Sequence, residues 1–186
     1  PSAELRDAMK DDPRYKTTVL AENDVYDGVT CKPGANQPNP YFNGKVFINL
    51  AEKTALGRNN SQGQWVNIRY IRYSDVVLMN AEAACELGQI DDALNKLEMV
   101  RTRARGNDSS ALPKVTTRDQ EELRQAIRCE RRFELAMELE RFFDLVRWGV
   151  AKDEIDGFIP GKHELYPIPQ GQIDSSNGIL TQNPNY

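Results

Sequence analysis

The chain has 186 residues, 39% hydrophobic and 28% charged, with a net charge of −4. That is the profile of a folded chain with a sizeable core, not of a disordered one. The absence of a basic excess argues against nucleic acid or an anionic membrane surface as a partner, and no apolar run is long enough to span a bilayer.

Residues 2–10 form a short helix candidate, with Ser2 as N-cap and Leu5 and Met9 on one face. Asp11-Asp12-Pro13 ends it, because Pro13 cannot continue the helix and restricts Asp12. Residues 15–20 (YKTTVL) are rich in β-branched side chains and predict a strand. Periodicity then fails from residue 21 to residue 65, a variable loop region punctuated by Pro, Gly and Asn. Only residues 45–50 (KVFINL) predict a strand within it.

A helical hairpin follows over residues 70–105. Apolar residues recur at three- and four-residue steps from Val76 to Leu87, Gly88 stops the first helix, and Asp91 is the expected N-cap of the second. So short a link makes the two helices antiparallel neighbours. Ala81, Gly88 and Ala93 resemble the small-residue pattern of a tetratricopeptide hairpin. Thr117 with Gln120 reads as a capping box opening a long helix over residues 117–149, about 45 Å if unbroken. A break is expected near Glu140, and Gly149 is the stop. The tail, residues 163–186, reads as extended, with Tyr166, Ile168, Ile173 and Leu180 as apolar anchors. Cys31, Cys85 and Cys129 make neither a metal spacing nor a redox pair. Cys85 and Cys129 fall in helical patterns, where a small buried thiol is expected. A disulfide involving Cys31 stays open.

Residues 129–149 (CERRFELAMELERFFDLVRWG) raise the question of chemistry. Arg131 and Glu134, Glu138 and Arg141, Arg141 and Asp144, and Asp144 and Arg147 are each three apart, so each pair can touch along a helix. Leu135, Leu139, Phe142 and Val146 would form an apolar stripe beside them, which puts some of these ion pairs at or within the core. Glu134 and Glu138 could mimic a glycosidase pair, since one helical turn separates Cβ atoms by about 6 Å. Neighbouring arginines, however, favour ionisation, the opposite of what an acid catalyst needs. The expected role is structural. His163 is the sole histidine, so no multi-histidine metal site can form; with Lys162 and Glu164 beside it a surface or tail-anchoring role is expected, and no cofactor motif is present.

Several motifs together resemble the SusD/RagB family of outer-membrane nutrient-binding lipoproteins. They are Asp12-Pro13-Arg14, Arg72-Tyr73, Leu78-Met79-Asn80-Ala81-Glu82-Ala83, Val100-Arg101-Thr102-Arg103-Ala104, Glu130-Arg131-Arg132 with Glu134-Leu135-Ala136, Arg147-Trp148-Gly149, Tyr166-Pro167-Ile168-Pro169 and Gln182-Asn183-Pro184-Asn185-Tyr186. Leu139 departs from the pattern, where the family usually has Gly. The resemblance implies a mainly α, SusD-like fold: a tetratricopeptide-type hairpin packed with a long helix, plus long irregular loops and a few short strands. It implies the C-terminal portion of a longer protein whose first half carries a lipid anchor, the only membrane attachment expected. It further implies non-catalytic capture of oligosaccharide or polysaccharide at the cell surface and delivery to a SusC-like, TonB-dependent outer-membrane transporter. The family pattern assigns no ligand residues here. The residues themselves offer Trp65, Tyr41, Phe42 and Tyr26 as faces on which sugar rings stack. The competing reading is a tetratricopeptide-like adaptor that binds protein or peptide and no glycan.

Overall fold

The computed structural model describes residues 1–32, 39–48, 50–57, 67 and 69–186. Trp65 lies outside them. The chain divides into two units, Pro1–Leu139 and Glu140–Tyr186.

In the first unit, α1 (Ala3–Met9) is capped by Ser2, whose Oγ accepts from the Leu5 N–H at 3.1 Å. The strand expected at residues 15–20 is mostly a helical turn, α2 (Tyr15–Thr18), which leads into β1 (Val19–Leu20). Local β preference loses to the turn set by Asp12, whose carboxylate accepts from the Arg14 N–H at 2.8 Å. β2 (Val25–Tyr26) and β3 (Val29–Thr30) form a hairpin. Asp27 and Gly28 between them both have positive φ, which is the type I′ turn chemistry that an Asp-Gly pair supplies. β4 (Phe42–Asn43) pairs antiparallel with β1, setting Leu20 opposite Phe42. Among the described residues of 45–50 the expected strand does not form. Gly44–Val46 is a 3₁₀ turn, and α3 (Leu50–Ala55) follows.

α4 (Tyr73–Glu86) and α5 (Ile90–Arg105) make the hairpin, and Gly88 sits in the left-handed region (φ +71°) between them. Asp91 lies in the first turn of α5 and pairs with Arg118; the N-cap is Gln89. α6 (Gln120–Glu134) packs across the pair, with Asp119 rather than Thr117 as its N-cap. Leu78, Ala81 and Cys85 of α4, Ala93 and Leu97 of α5, and Leu123 and Ile127 of α6 fill one core. A second cluster joins Met9, Val19 and Ala136. Cys129 is exposed, against expectation, because it faces away from both clusters, and all three cysteines are free.

The helical stretch expected over residues 117–149 is interrupted close to the break expected near Glu140: α6 stops at Glu134 and helix resumes at Arg141. Met137 and Leu139 take left-handed φ values of +66° and +72° in the turn that follows. Leu139 is therefore 83% exposed and not part of an apolar stripe.

The second unit contains α7 (Arg141–Arg147), α8 (Ala151–Glu154) and α9 (Gln170–Ser175). Its tail is held by polar groups more than by the expected apolar anchors, of which Tyr166 and Leu180 are exposed. Gln182 accepts from the Ile168 N–H at 2.8 Å and donates to the Ile168 carbonyl at 2.9 Å, mimicking a strand partner. Asn183 donates to Tyr166 O, Asn185 to Gly161 O, and the Tyr186 hydroxyl to Leu165 O.

Candidate functional site

The charged motifs, scattered along the sequence, meet at the C-terminal half of α6. Glu130 and Glu134 are 1% and 2% exposed. Arg14 Nη1 donates to Glu130 at 2.6 Å and to Glu134 at 2.8 Å, while Nε and Nη2 grip Asp12 at 2.8 and 2.6 Å. Glu130 also accepts from Arg101 at 2.7 Å. Glu134 accepts from Arg72 at 2.6 Å and Arg103 at 2.5 Å. Arg131, itself buried, reaches Asp75 on α4 at 2.9 Å. The ladder expected along one helix is thus largely a network between elements. Arg131 and Glu134 face different partners, Glu138 and Arg141 lie past the helix end, and Arg141 pairs with Glu154 at 3.2 Å. Asp144 and Arg147 do pair along α7, at 2.8 Å.

Burial by itself raises the Glu134 carboxyl, but hydrogen bonds from Arg14 and Arg72 outweigh it and hold the group at about 2. Burial likewise opposes ionisation of Arg14, and Asp12 and Glu130 overturn that, leaving its guanidinium held above the usual range. A carboxylate so held keeps no proton near neutrality to give to a leaving group. The centre joins the segment after α1 and the two ends of the hairpin to α6.

At the end of α6, burial raises the Glu138 carboxyl, and hydrogen bonds from Arg72 and Lys45 bring it below its ordinary value. Arg72 reaches Glu138 at 2.5 and 2.9 Å, and Lys45 Nζ reaches it at 2.5 Å. Both cations also donate to the Glu134 carbonyl, at 2.5 and 2.7 Å, capping the negative end of the helix. Lys45 and Arg72 stand just before and just after residues 46–71, so one carboxylate ties both of these positions.

Among the aromatic candidates, Phe42 is half-buried in β4. Tyr26, also half-buried, meets the edge of Phe47 at 5.4 Å. Tyr41 packs on the Met9–Val19–Ala136 cluster and its hydroxyl accepts from Arg6, whose guanidinium lies 5.1 Å from the ring centre. The segment of residues 42–47 thus connects Phe42 to Tyr26, while Tyr41 turns toward the core. Phe47 belongs to this set and was missed in the sequence, because an edge-to-face contact between residues 21 apart leaves no periodic trace. Separately, a cleft of about 390 Å³ opens between α4 and α5, lined by Arg72, Tyr73, Ser74, Val77, Met99, Val100 and Arg103. Among the described residues no group of His, Cys, Asp or Glu could hold a metal ion, and no helix is long and apolar enough to cross a membrane.

The SusD family model matches residues 2–163. The chain belongs to the SusD family. SusD-like protein P2 of Formosa agariphila is 29% identical over 143 residues, covering 70% of this chain and 28% of that protein. A laminarin-binding SusD-like protein of known structure is 32% identical, with a TM-score of 0.79 over 100% of this chain and 38% of its own. Surface glycan-binding protein A from Bacteroides thetaiotaomicron gives 25% identity and a TM-score of 0.74, over 100% of this chain and 41% of its own. The chain therefore spans well under half the length of these relatives. In this SusD family member the mainly helical fold gives each sequence motif a place. Asp12-Pro13-Arg14, Arg72, Arg101 with Arg103, and Glu130 with Glu134 are the parts of one charge centre built around two buried glutamates.

Proposed function

We propose that this chain is part of a cell-surface lipoprotein of the outer membrane that captures oligosaccharide or polysaccharide without transforming it. The captured glycan passes to a SusC-like, TonB-dependent transporter, and the lipid anchor lies elsewhere in the protein. Family membership, together with the likeness to a laminarin-binding protein along the whole chain, carries the reading. The charge centre supports capture without chemistry, because Glu130 and Glu134 are buried against arginines and Glu134 is held ionised by them. Trp65, Phe42, Tyr26 and Tyr41 are the proposed ligand contacts.

Affinity electrophoresis of the intact protein against a polysaccharide panel including laminarin tests this. Retardation by at least one glycan, without release of reducing ends, is expected. Trp65→Ala and Phe42→Ala should weaken it. Absence of retardation throughout the panel overturns the reading, and unchanged retardation by a variant removes that residue from the site.

The cleft between α4 and α5 favours a protein-facing role for the hairpin. Its floor is apolar, Tyr73 stands 73% exposed beside it, and Arg72 and Arg103 sit at its rim. In the proposed assembly this surface docks the transporter. Met99→Glu is then expected to weaken transporter association while leaving glycan retardation intact. Loss of neither would separate the cleft from docking.

A further inference from the structure

Phe42 and Phe47 are separated by a turn fastened on three sides. The Phe47 N–H bonds to Gly44 O at 3.2 Å, closing the 3₁₀ turn. Gly44 lies against the α2 backbone so closely that a Cβ there would stand 2.5 Å from Thr17 O. Asn43 accepts from the Lys45 N–H at 3.0 Å and donates to Met137 O at 3.3 Å. Lys45 then reaches past the turn to Glu138 Oε1 and the Glu134 carbonyl.

Lys45 is an unusual choice for stability alone. Its side chain is only 17% exposed, and burial pulls its ammonium below the ordinary lysine range despite the contact with Glu138. Arg72 already meets both oxygens of Glu138 and the Glu134 carbonyl, so those acceptors do not need the lysine. What Lys45 adds is a rigid link between the end of α6 and the segment bearing Phe42 and Phe47, with Phe47 in turn setting Tyr26. We propose that Lys45, tied to Glu138, is the positioning residue that fixes the aromatic arm of residues 42–47 for its ligand, a role that rests on the glycan-binding reading above.

The test uses the intact protein with laminarin as probe, measuring binding by titration and amide hydrogen exchange in parallel. In Lys45→Met, exchange at Phe47 is expected to rise about tenfold while Leu78 and Ile127 in the core are unchanged, and the laminarin Kd should rise about tenfold. Lys45→Arg restores a cation able to reach Glu138 and should recover both. Glu138→Gln, which keeps an acceptor but drops the charge, should fall between and serves if Lys45→Met loses core protection. Unchanged exchange at Phe47 overturns the tie. Faster exchange with unchanged Kd overturns the positioning role. If the wild type binds neither laminarin nor any other polysaccharide while exchange responds as expected, the glycan reading is what fails, and the ligand role of the tie falls with it.

Discussion

Arg14 Nη1 lies 2.8 Å from Glu134 and 2.6 Å from Glu130, so one guanidinium nitrogen joins two buried carboxylates on successive turns of α6. The rest of that guanidinium is occupied by Asp12. The planar fork makes four hydrogen bonds to three carboxylates here, one more than the three N–H groups of a lysine could supply.

Replacing Arg14 with Met therefore leaves Asp12, Glu130 and Glu134 short of a partner in a buried site. The expected cost is about 3–5 kcal/mol, from stranded charge more than from lost attraction. Urea unfolding measures it, and Arg14→Lys should recover only part. A loss below about 1 kcal/mol would mean that Arg72, Arg101 and Arg103 carry the centre unaided.

Glu134 gives the fold an acid limit. Its carboxyl is held at about 2, against an ordinary value of 4.5, so the unfolded chain binds more protons between those pH values. Stability from this group is complete above pH 4.5 and lost as pH falls toward 2; Glu138, also depressed, adds in the same direction. The contribution is roughly 3 kcal/mol. Urea midpoints recorded from pH 6 to pH 2 should fall in that window, and Glu134→Gln should flatten the slope there. A wild-type curve already flat in the window would contradict the arginine grip.

Leu139 holds φ +72° with its side chain 83% exposed, so it suffers left-handed strain without gaining burial. Leu139→Gly relieves about 1–2 kcal/mol of strain and gives back part of it in unfolded-state entropy, for a net gain of roughly 0.5–1 kcal/mol. Leu139→Ala keeps the Cβ and should show no such gain. Thermal unfolding of the two variants side by side checks the difference.

In the second unit, Gln182 makes two hydrogen bonds to the backbone of Ile168. Gln182→Ala should cost about 1–3 kcal/mol and raise exchange at the Ile168 amide, with the core around Leu97 unaffected. Unaltered protection at Ile168 would show that Asn183, Asn185 and Tyr186 suffice to hold the tail.

The hairpin was legible because its signals are local: apolar steps of three and four, and Gly88 at the turn. That the α6 acids stand among arginines was legible too. Their partners were not. Glu134 draws on Arg72 from 62 positions away and Arg14 from 120, and side-by-side spacing on a helix says nothing of such encounters. The signal that could have found them was the recurrence of arginine in motifs spread along the chain, at Arg14, Arg72, Arg101 and Arg103. Residues 15–20 and 45–50 misled because β-branched composition cannot register that Asp12 closes one turn and Asn43 the other. The hairpin at Asp27-Gly28 carried a plain turn signal in its dipeptide. Of the aromatic candidates, the sequence supplied identity but not orientation, since whether a ring meets Arg6 or solvent depends on packing between distant segments.

The meeting of Lys45 and Arg72 at Glu138 makes a socket. The two ends of residues 46–71 are plugged into a shared carboxylate that belongs to neither. A graft that keeps a lysine entering and an arginine leaving at the same two contacts inherits those two fixed points, whatever it carries between them.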